Sequence, residues 1–487
     1  MSNPTTSAGP NLKERPATKI VATIGPASRD EHMLRALMEA GANVFRLNFS
    51  HGEAEEHAET SELIRRLSSA FNRPVGVLQD LQGPKIRVGE LKDGEPVLLI
   101  EGEKVTITSR DVPGDSGLVP TTYDRLADDA RAGDRLLLDD GALELRVLET
   151  NPPDTLCEIV RGGLLRQRKG INLPGVAVSA PSLSDKDRSD LKIGVEMGVD
   201  FVALSFVRRP EDVIEARELL QSFGARTPLI SKLEKPEAVA RLDEILRVSD
   251  GVMVARGDLG VEMPPERVPI IQKDVLERAL MLSKPSITAT QMLESMISNP
   301  RPTRAEASDV ANAILDGTDA VMLSAETASG QFPLEAVQMM RRIALETERS
   351  RQARRGPRPE DLNPVHALSN AARSLAEDLP QVVAVVPMTN TGYTARLMSS
   401  ARVSAPIWAY TYTESVRRRL SLWWGVRPLL MPKLETTEEA VAWVEQDLLD
   451  RRLVAPQNMI VITGGLPLLS PSRTTNFIKL HVVGGPS

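Results

Sequence analysis

One cysteine, Cys157, stands in a chain of 487 residues. An internal disulfide is therefore excluded, and an unpaired thiol in so long a chain suits a reducing compartment, which points to the cytoplasm. Long hydrophobic runs are also missing. Nowhere do about 18 apolar residues follow one another, which argues against a membrane span, and the opening stretch MSNPTTSAGPNLKERPA has no apolar centre of the kind a secretory signal needs. The five histidines (His32, His51, His57, His366 and His481) show no HxxxH spacing and have no second cysteine to join them, so a zinc ligand set is absent. Any metal is expected to be a hard one held by carboxylates. Positive charge is not in excess either. With 59 Lys and Arg against 66 Asp and Glu the net charge is −7, which excludes a general affinity for nucleic acid or anionic lipid and leaves only local basic sites.

What is present is an ordinary globular composition, 41% hydrophobic and 26% charged, sufficient for a sizeable core. The length allows about three domains. Residues 1–17, rich in Pro, Ser, Thr and Asn, read as a flexible tail. Eight short apolar, β-prone runs follow, each leading into helical spacing: IVATIG from Ile20, NVFRLNFS from Asn43, VGVLQD from Val75, FVALSFV from Phe201, PLISKLE from Pro228, GVMVARGD from Gly251, SITATQM from Ser286 and AVMLSAE from Ala320. Their starts are 23, 32, 126, 27, 23, 35 and 34 residues apart. Eight βα units predict a (β/α)8 TIM barrel over residues 18–88 and 174–349, and the long third interval predicts an inserted domain of about 90 residues, 89–173.

The insertion has strand texture. EKVTITS alternates, and RLLLDDGALELRV is two strand-like halves about an Asp-Gly turn, which predicts a small β-barrel acting as a lid. Ser184 and Asp187 in SLSDKDRSDLKIGVEMG mark a helix start where the barrel resumes. Residues 350–360, SRQARRGPRPE, read as a linker. Residues 361–487 alternate helical and buried-strand segments, which predicts a C-terminal α/β domain with a largely parallel sheet.

Functional side chains of such a barrel lie at the carboxyl ends of its strands. There the sequence places Thr23; Arg46, Asn48, Ser50 and His51; Asp80, Lys85 and Arg87; Lys232 and Glu234; Arg256 and Asp258; Thr290; and Glu326. A solvated rim explains any one of them but not the whole set. Glu234 and Asp258 are the candidate Mg²⁺ pair, since that ion takes one or two carboxylates plus water and substrate oxygens. Lys232, two residues before Glu234, shares its strand face and could reach the same substrate, or could form an ordinary ion pair. Arg46 and Arg87 suit phosphate or carboxylate, with plain surface arginines as the alternative.

Several of these residues sit in long strings: TKIVATIGPAS, EAGANVFRLNFSHG, ISKLEKPEAV, DGVMVARGDLGVEMP and KPSITATQMLESMISNPRPTRAEASDVANAILDGTDAVMLSAETASG. From about Thr18 onward, insertion and C-terminal domain included, the chain resembles the pyruvate kinases. The resemblance implies transfer of the phosphoryl group of phosphoenolpyruvate to ADP, giving pyruvate and ATP, by positioning and charge neutralisation without a covalent nucleophile. It implies Mg²⁺, or Mn²⁺ in its place, on Glu234 and Asp258, and Lys232 against the charge of the moving phosphoryl group and the enolate. Arg46 and Arg87 would take substrate or nucleotide phosphate, and Gly257, Asp258 and Thr290 the substrate, with Thr290 also near proton delivery. Asn48, Phe49, Ser50 and His51 would face the nucleotide, and Lys169 would reach it from the lid. The family usually forms tetramers through the barrel and C-terminal domains. A Mg²⁺-dependent barrel lyase acting on phosphoenolpyruvate or pyruvate, and a non-catalytic scaffold, are the rival readings.

Two expectations concern regulation and ions. VVAVVPM runs into TNTGYTARLMSSAR, and a helix start with hydroxyls could cradle an effector phosphate on Thr389, Asn390, Thr391 and Thr394, against a reading as plain helix capping. The later stretch GGLPLLSPSRTTN departs from the Gly-rich loop of members that respond to fructose bisphosphate, which favours AMP or a sugar monophosphate. Many pyruvate kinases also bind K⁺ through oxygens matching Asn48, Ser50, Asp80 and a hydroxyl at the position of Leu81, with a glutamate at that of Lys85. Here Leu81 has no side-chain oxygen and Lys85 reverses the charge, so Lys85 seated among Asn48, Ser50 and Asp80 would make K⁺ unnecessary.

Overall fold

The computed structural model describes residues 15–176, 178–350, 364–466 and 475–485. The tail up to residue 14, nearly all of the linker and most of GGLPLLSPSRTTN lie outside the described residues. Residues 15–17, which composition assigns to the tail, are instead pinned. The Ala17 amide donates to Glu348, its carbonyl accepts from Gly425, and the Arg15 carbonyl accepts from Arg427.

The eight apolar runs form β1 (Lys19–Ile24), β2 (Val44–Asn48), β3 (Gly76–Asp80), β4 (Phe201–Leu204), β5 (Leu229–Leu233), β6 (Gly251–Ala255), β7 (Ser286–Ala289) and β8 (Ala320–Leu323). They pair in the order β1-β8-β7-β6-β5-β4-β3-β2 and close into a barrel. Strand side chains alternate, so every second residue points inward. Val21, Val44, Leu78, Ala203 and Ile230 belong to the apolar inner cluster. Two positions further along the same face stand Thr23, Arg46, Asp80, Ser205 and Lys232. A greasy lower layer thus carries a polar upper one, and the period of two that builds the barrel also assembles its mouth.

The other end of the barrel is closed by the C-terminal domain. Leu422, in the short turn Leu420–Leu422, is fully buried within that inner cluster. Ion pairs flank it: Arg402 with Asp319, and Arg418 with Asp200. The domain itself is a five-stranded sheet in which Val382–Met388, Ile407–Thr411, Val426–Leu430 and Met459–Gly464 are parallel, with Phe477–Val482 as an antiparallel edge.

The inserted domain comprises a six-stranded sheet and a two-stranded ribbon around one core. Its Asp-Gly hairpin joins Arg135–Leu138 to Leu143–Asn151. Asp139, Asp140 and Gly141 have φ of 51°, 53° and 86°, the left-handed backbone that Asp and Gly tolerate best. Cys157 is buried in this core, and burial pushes its thiol up to about 12, so it is chemically inert. The core reaches back to Ile86 and Val88 on the outgoing crossing and forward to Val176 and Ala180 on the return. The helix Asp185–Glu196 then starts with a capping box between Ser184 and Asp187. Among the described residues no helix is long and apolar enough to cross a membrane.

Candidate active site

Lys232, from β5, is the hub of the barrel mouth. Its ammonium lies 2.9 Å from Glu234 Oε1, 3.2 Å from Asp80 Oδ1 and 2.7 Å from Ser205 Oγ. Asp80 also pairs with Arg46 Nε at 2.6 Å, and Arg46 donates on to Thr23 Oγ1 at 3.1 Å. These groups are almost out of solvent, with side-chain exposures of 11% for Lys232 and 1% for Asp80 and Glu234. Burial opposes the charge on Lys232, but Asp80 and Glu234 outweigh it and raise its pKa above the ordinary lysine value. Burial likewise opposes ionised Asp80, yet Lys232 and Arg46 hold its carboxyl below the usual range. The result is a permanent, desolvated positive charge fixed from three sides.

Glu234 behaves differently. Burial raises its pKa, and the charge of Asp258 adds to the rise against the pull of Lys232. A buried carboxylate raised in this way by a neighbouring one is short of a cation. Among the described residues there is no group of three or more His, Cys, Asp and Glu that could hold a metal. Two hard oxygen donors facing an open mouth fit an ion that takes its remaining ligands from substrate and water, as Mg²⁺ does. The second Glu234 oxygen accepts the Phe206 amide at 2.7 Å. Phe206 has φ 55°, a strained conformation for a bulky residue that this bond holds in place.

Across the mouth, the helix Arg256–Glu262 begins directly after β6 and carries Gly257 and Asp258 in its first turn. The Gly257 amide donates to Thr290 Oγ1, which in turn donates to the Ala289 carbonyl. Thr290 and Gln291 have φ of 66° and 54°, and Arg256 clamps this strained pair through the Thr290 carbonyl while bound to Asp309. Asp140, on the lid hairpin, and Gly257 border a common open cavity of about 880 Å³.

The residues expected to face the nucleotide are less uniform. Asn48 Oδ1 accepts the Ser50 amide and the Asn48 carbonyl accepts the His51 amide, which shapes a tight turn after β2. Phe49 is buried with its ring stacked on His57, and its main chain is engaged, the amide donating to the Asp80 carbonyl and the carbonyl accepting from Lys186. The pKa of exposed His51 is lowered by partial burial and then by Arg87, Arg46 and Lys85, so this corner is electropositive. Arg87 lies half-buried where the chain enters the lid and bonds the Arg168 carbonyl. Lys169 is engaged by Asp139 at 2.8 Å.

Two expectations are corrected. The seat drawn for Lys85 is not formed: among the described residues it has no hydrogen bond or ion pair to Asn48, Ser50 or Asp80. Asp80 is already taken by Arg46 and Lys232, and the Lys85 stem lies against Gly170 of the lid, where an added Cβ would stand 3.3 Å from Lys85 Cε. In the C-terminal domain, Thr389 Oγ1 accepts the Gly392 amide and buried Thr394 faces Thr475 Oγ1 at 2.9 Å, so both hydroxyls are used within the fold. Thr391 is exposed and Asn390 half-buried. Glu326 is buried and both its oxygens are used within the fold, accepting from the Leu293 and Ser324 amides. Ser205 and Phe206 were missed although they follow β4, where the strand-end rule applies equally. Lys235, Glu262 and Asn172 carry no spacing signal at all.

Comparison with known proteins places this geometry. A family model described as "Pyruvate kinase, barrel domain" matches residues 15–337, and one described as "Pyruvate kinase, alpha/beta domain" matches residues 366–481. The chain is 47% identical to pyruvate kinase 2 of Synechocystis sp., covering 96% of this chain and 79% of that protein. It is 46% identical to the pyruvate kinase of Mycobacterium tuberculosis, covering 96% and 98% of the two chains. The crystal structure of a pyruvate kinase from Cryptosporidium parvum superposes with a TM-score of 0.90 at 35% identity, covering 97% of both chains. The chain belongs to the pyruvate kinase family, whose reaction moves the phosphoryl group of phosphoenolpyruvate to ADP.

Proposed function

We propose that this transfer is run by the buried ring of Lys232, Asp80, Arg46 and Glu234, with Gly257 and Thr290 opposite. The observation that carries the reading is Lys232, whose charge is locked by Asp80 and Glu234 and needs no rearrangement when phosphoryl charge develops beside it. Glu234 and Asp258 would hold Mg²⁺ or Mn²⁺, which when bound supplies neutralisation of phosphoryl and carboxylate oxygens. Arg46 grips phosphate while Asp80 fixes its fork. The Gly257 amide and Thr290 hydroxyl, now bonded to each other, open towards the substrate carboxylate, and the Thr290 hydroxyl lies on the route of the proton that turns enolpyruvate into pyruvate. Arg87 and the turn from Asn48 to His51 receive the nucleotide. Lys169 exchanges Asp139 for a nucleotide phosphate as the lid closes and excludes water.

Lys85, although outside the seat first drawn for it, stands close enough to contribute, after burial, Arg87 and Arg46, to the lowered His51 pKa, and on this reading its ammonium takes the place of the ion. K⁺ is therefore not required. An effector phosphate, of AMP or a sugar monophosphate, would bind at Asn390 and exposed Thr391, with Thr389 and Thr394 shaping the turn. Assembly as a homotetramer in the cytoplasm, serving glycolysis, completes the reading. The test is pyruvate formation by purified protein with Mg²⁺, with and without ADP, and with AMP, sugar monophosphates or fructose bisphosphate added. Turnover without ADP would indicate a lyase, and no turnover a scaffold. Activation by fructose bisphosphate alone would overturn the effector assignment.

A further inference from the structure

Three segments that bear on the chemistry converge on one carboxylate oxygen. Glu262 ends the helix whose first turn carries Gly257 and Asp258. Its side chain is 2% exposed, and its Oε1 accepts from Lys235 Nζ at 2.6 Å and from Asn172 Nδ2 at 2.7 Å. Lys235 directly follows Glu234, and its ammonium stands 5.7 Å from the centre of the Phe206 ring. Asn172 lies on the last strand of the inserted domain, Ile171–Asn172, which pairs with Arg135–Leu138. That strand follows Lys169 by a few residues and leads straight back into the barrel.

The two arms on Glu262 differ in strength. The Lys235 arm is charge-assisted and nearly dry, so breaking it would strand a buried charge. The Asn172 arm is an amide donor, weaker and replaceable by water. A cavity of about 30 Å³ beside the joint, lined in part by Lys85, Asn172, Phe206 and Lys235, leaves space for such a water and for the amide to swing.

We propose that Glu262 is a positioning residue that registers the lid against the helix of Gly257 and Asp258. Lys235 is its fixed arm and Asn172 the releasable one. The lid angle and the placement of the two substrate-side groups are then set by one joint. Because Lys169 rides on the same return segment, loosening Asn172 acts first on ADP; this arm of the argument rests on the nucleotide role given to Lys169 above.

The experiment uses the full chain with Mg²⁺. Leu164 on the lid and Gln221 on a barrel helix are both exposed, and Leu164→Cys with Gln221→Cys accept spin labels while Cys157 stays inert. Asn172→Ala should widen the label distance distribution and raise KM for ADP about tenfold, as expected for one buried hydrogen bond, leaving KM for phosphoenolpyruvate and the thermal midpoint near the parent values. Glu262→Gln keeps an acceptor for Asn172 but removes the charge facing Lys235, so it should lower kcat with less widening. Lys169→Met should raise KM for ADP with no change in the distances. If it leaves that KM unchanged while Asn172→Ala still widens the distribution, the nucleotide reading fails and the joint stands. Parental distances and parental KM for ADP in Asn172→Ala would overturn the proposal, as would a uniform decline of every constant in step with a lower midpoint. Should Asn172→Ala not fold, Asn172→Ser, which keeps a shorter donor, carries the same comparison.

Discussion

The Gly257 amide points at Thr290 Oγ1 from 2.7 Å, joining the start of a helix after β6 to a strained turn after β7. An added Cβ at Gly257 would stand 3.3 Å from that oxygen, closer than comfortable contact. Gly257→Ala should therefore raise KM for phosphoenolpyruvate with little loss of stability. Thr290→Ser, which keeps the hydroxyl, should retain most turnover. Thr290→Ala should lose about a hundredfold in kcat, the usual worth of a positioned proton donor or acceptor. Steady-state kinetics of the three variants check this, and equal kcat in Thr290→Ala and the parent would remove the hydroxyl from the reaction.

Lys232 is held by two carboxylates, Asp80, which also pairs with Arg46, and Glu234, which also accepts the Phe206 amide. Lys232→Met should reduce phosphoryl transfer by about a hundredfold or more, as loss of a preorganised charge does elsewhere. Glu234→Gln and Asp258→Asn should each cut turnover and shift the Mg²⁺ dependence to higher concentration. Titrating Mg²⁺ against rate measures both effects, and an unchanged Mg²⁺ midpoint in both carboxylate variants would dismiss them as the ion's ligands.

The proposed independence of K⁺ is tested at Lys85. Turnover at saturating substrates in K⁺-free buffer should equal turnover with K⁺ added. Lys85→Glu should lose activity, and K⁺ should restore part of it. Strong stimulation of the parent enzyme by K⁺ would end this idea.

Lys19 offers a pH test remote from the active site. Its amine donates to the Val426 carbonyl at 2.6 Å beneath the barrel, and burial, then Arg427, lowers its pKa to about 7 from 10.5. Below pH 7 the amine is charged in both folded and unfolded chains, and the fold bears the burden of the buried charge. Between about 7 and 10.5 the unfolded chain binds a proton that the folded one has shed, so stability rises with pH through that window. Lys19→Met lacks the effect. Denaturant unfolding from pH 6.5 to 9.5 should show the parent gaining stability relative to Lys19→Met as pH increases, and a constant difference between them would count against it.

Much of this molecule was legible in its sequence because the relevant interactions are local or periodic. Eight apolar runs became eight strands, Ser184 and Asp187 capped a helix, and an Asp-Gly pair turned a hairpin. The same period of two put Lys232 beneath Glu234 and Arg46 above Val44, so the polar ring could be read without knowing which strands are neighbours. Where side chains compete for one partner, the sequence was silent. Lys85 lost Asp80 to Arg46 and Lys232, because those two project from the barrel interior while Lys85 has already left for the lid. Ser205 reaches Lys232 across 27 residues, and Asn172 reaches Glu262 across 90. Leu422, from another domain, fills the floor of the barrel. Such contacts follow from the closure of the barrel and the return path of the lid, which bring distant segments to within a few ångströms, and no local propensity encodes which of them will meet.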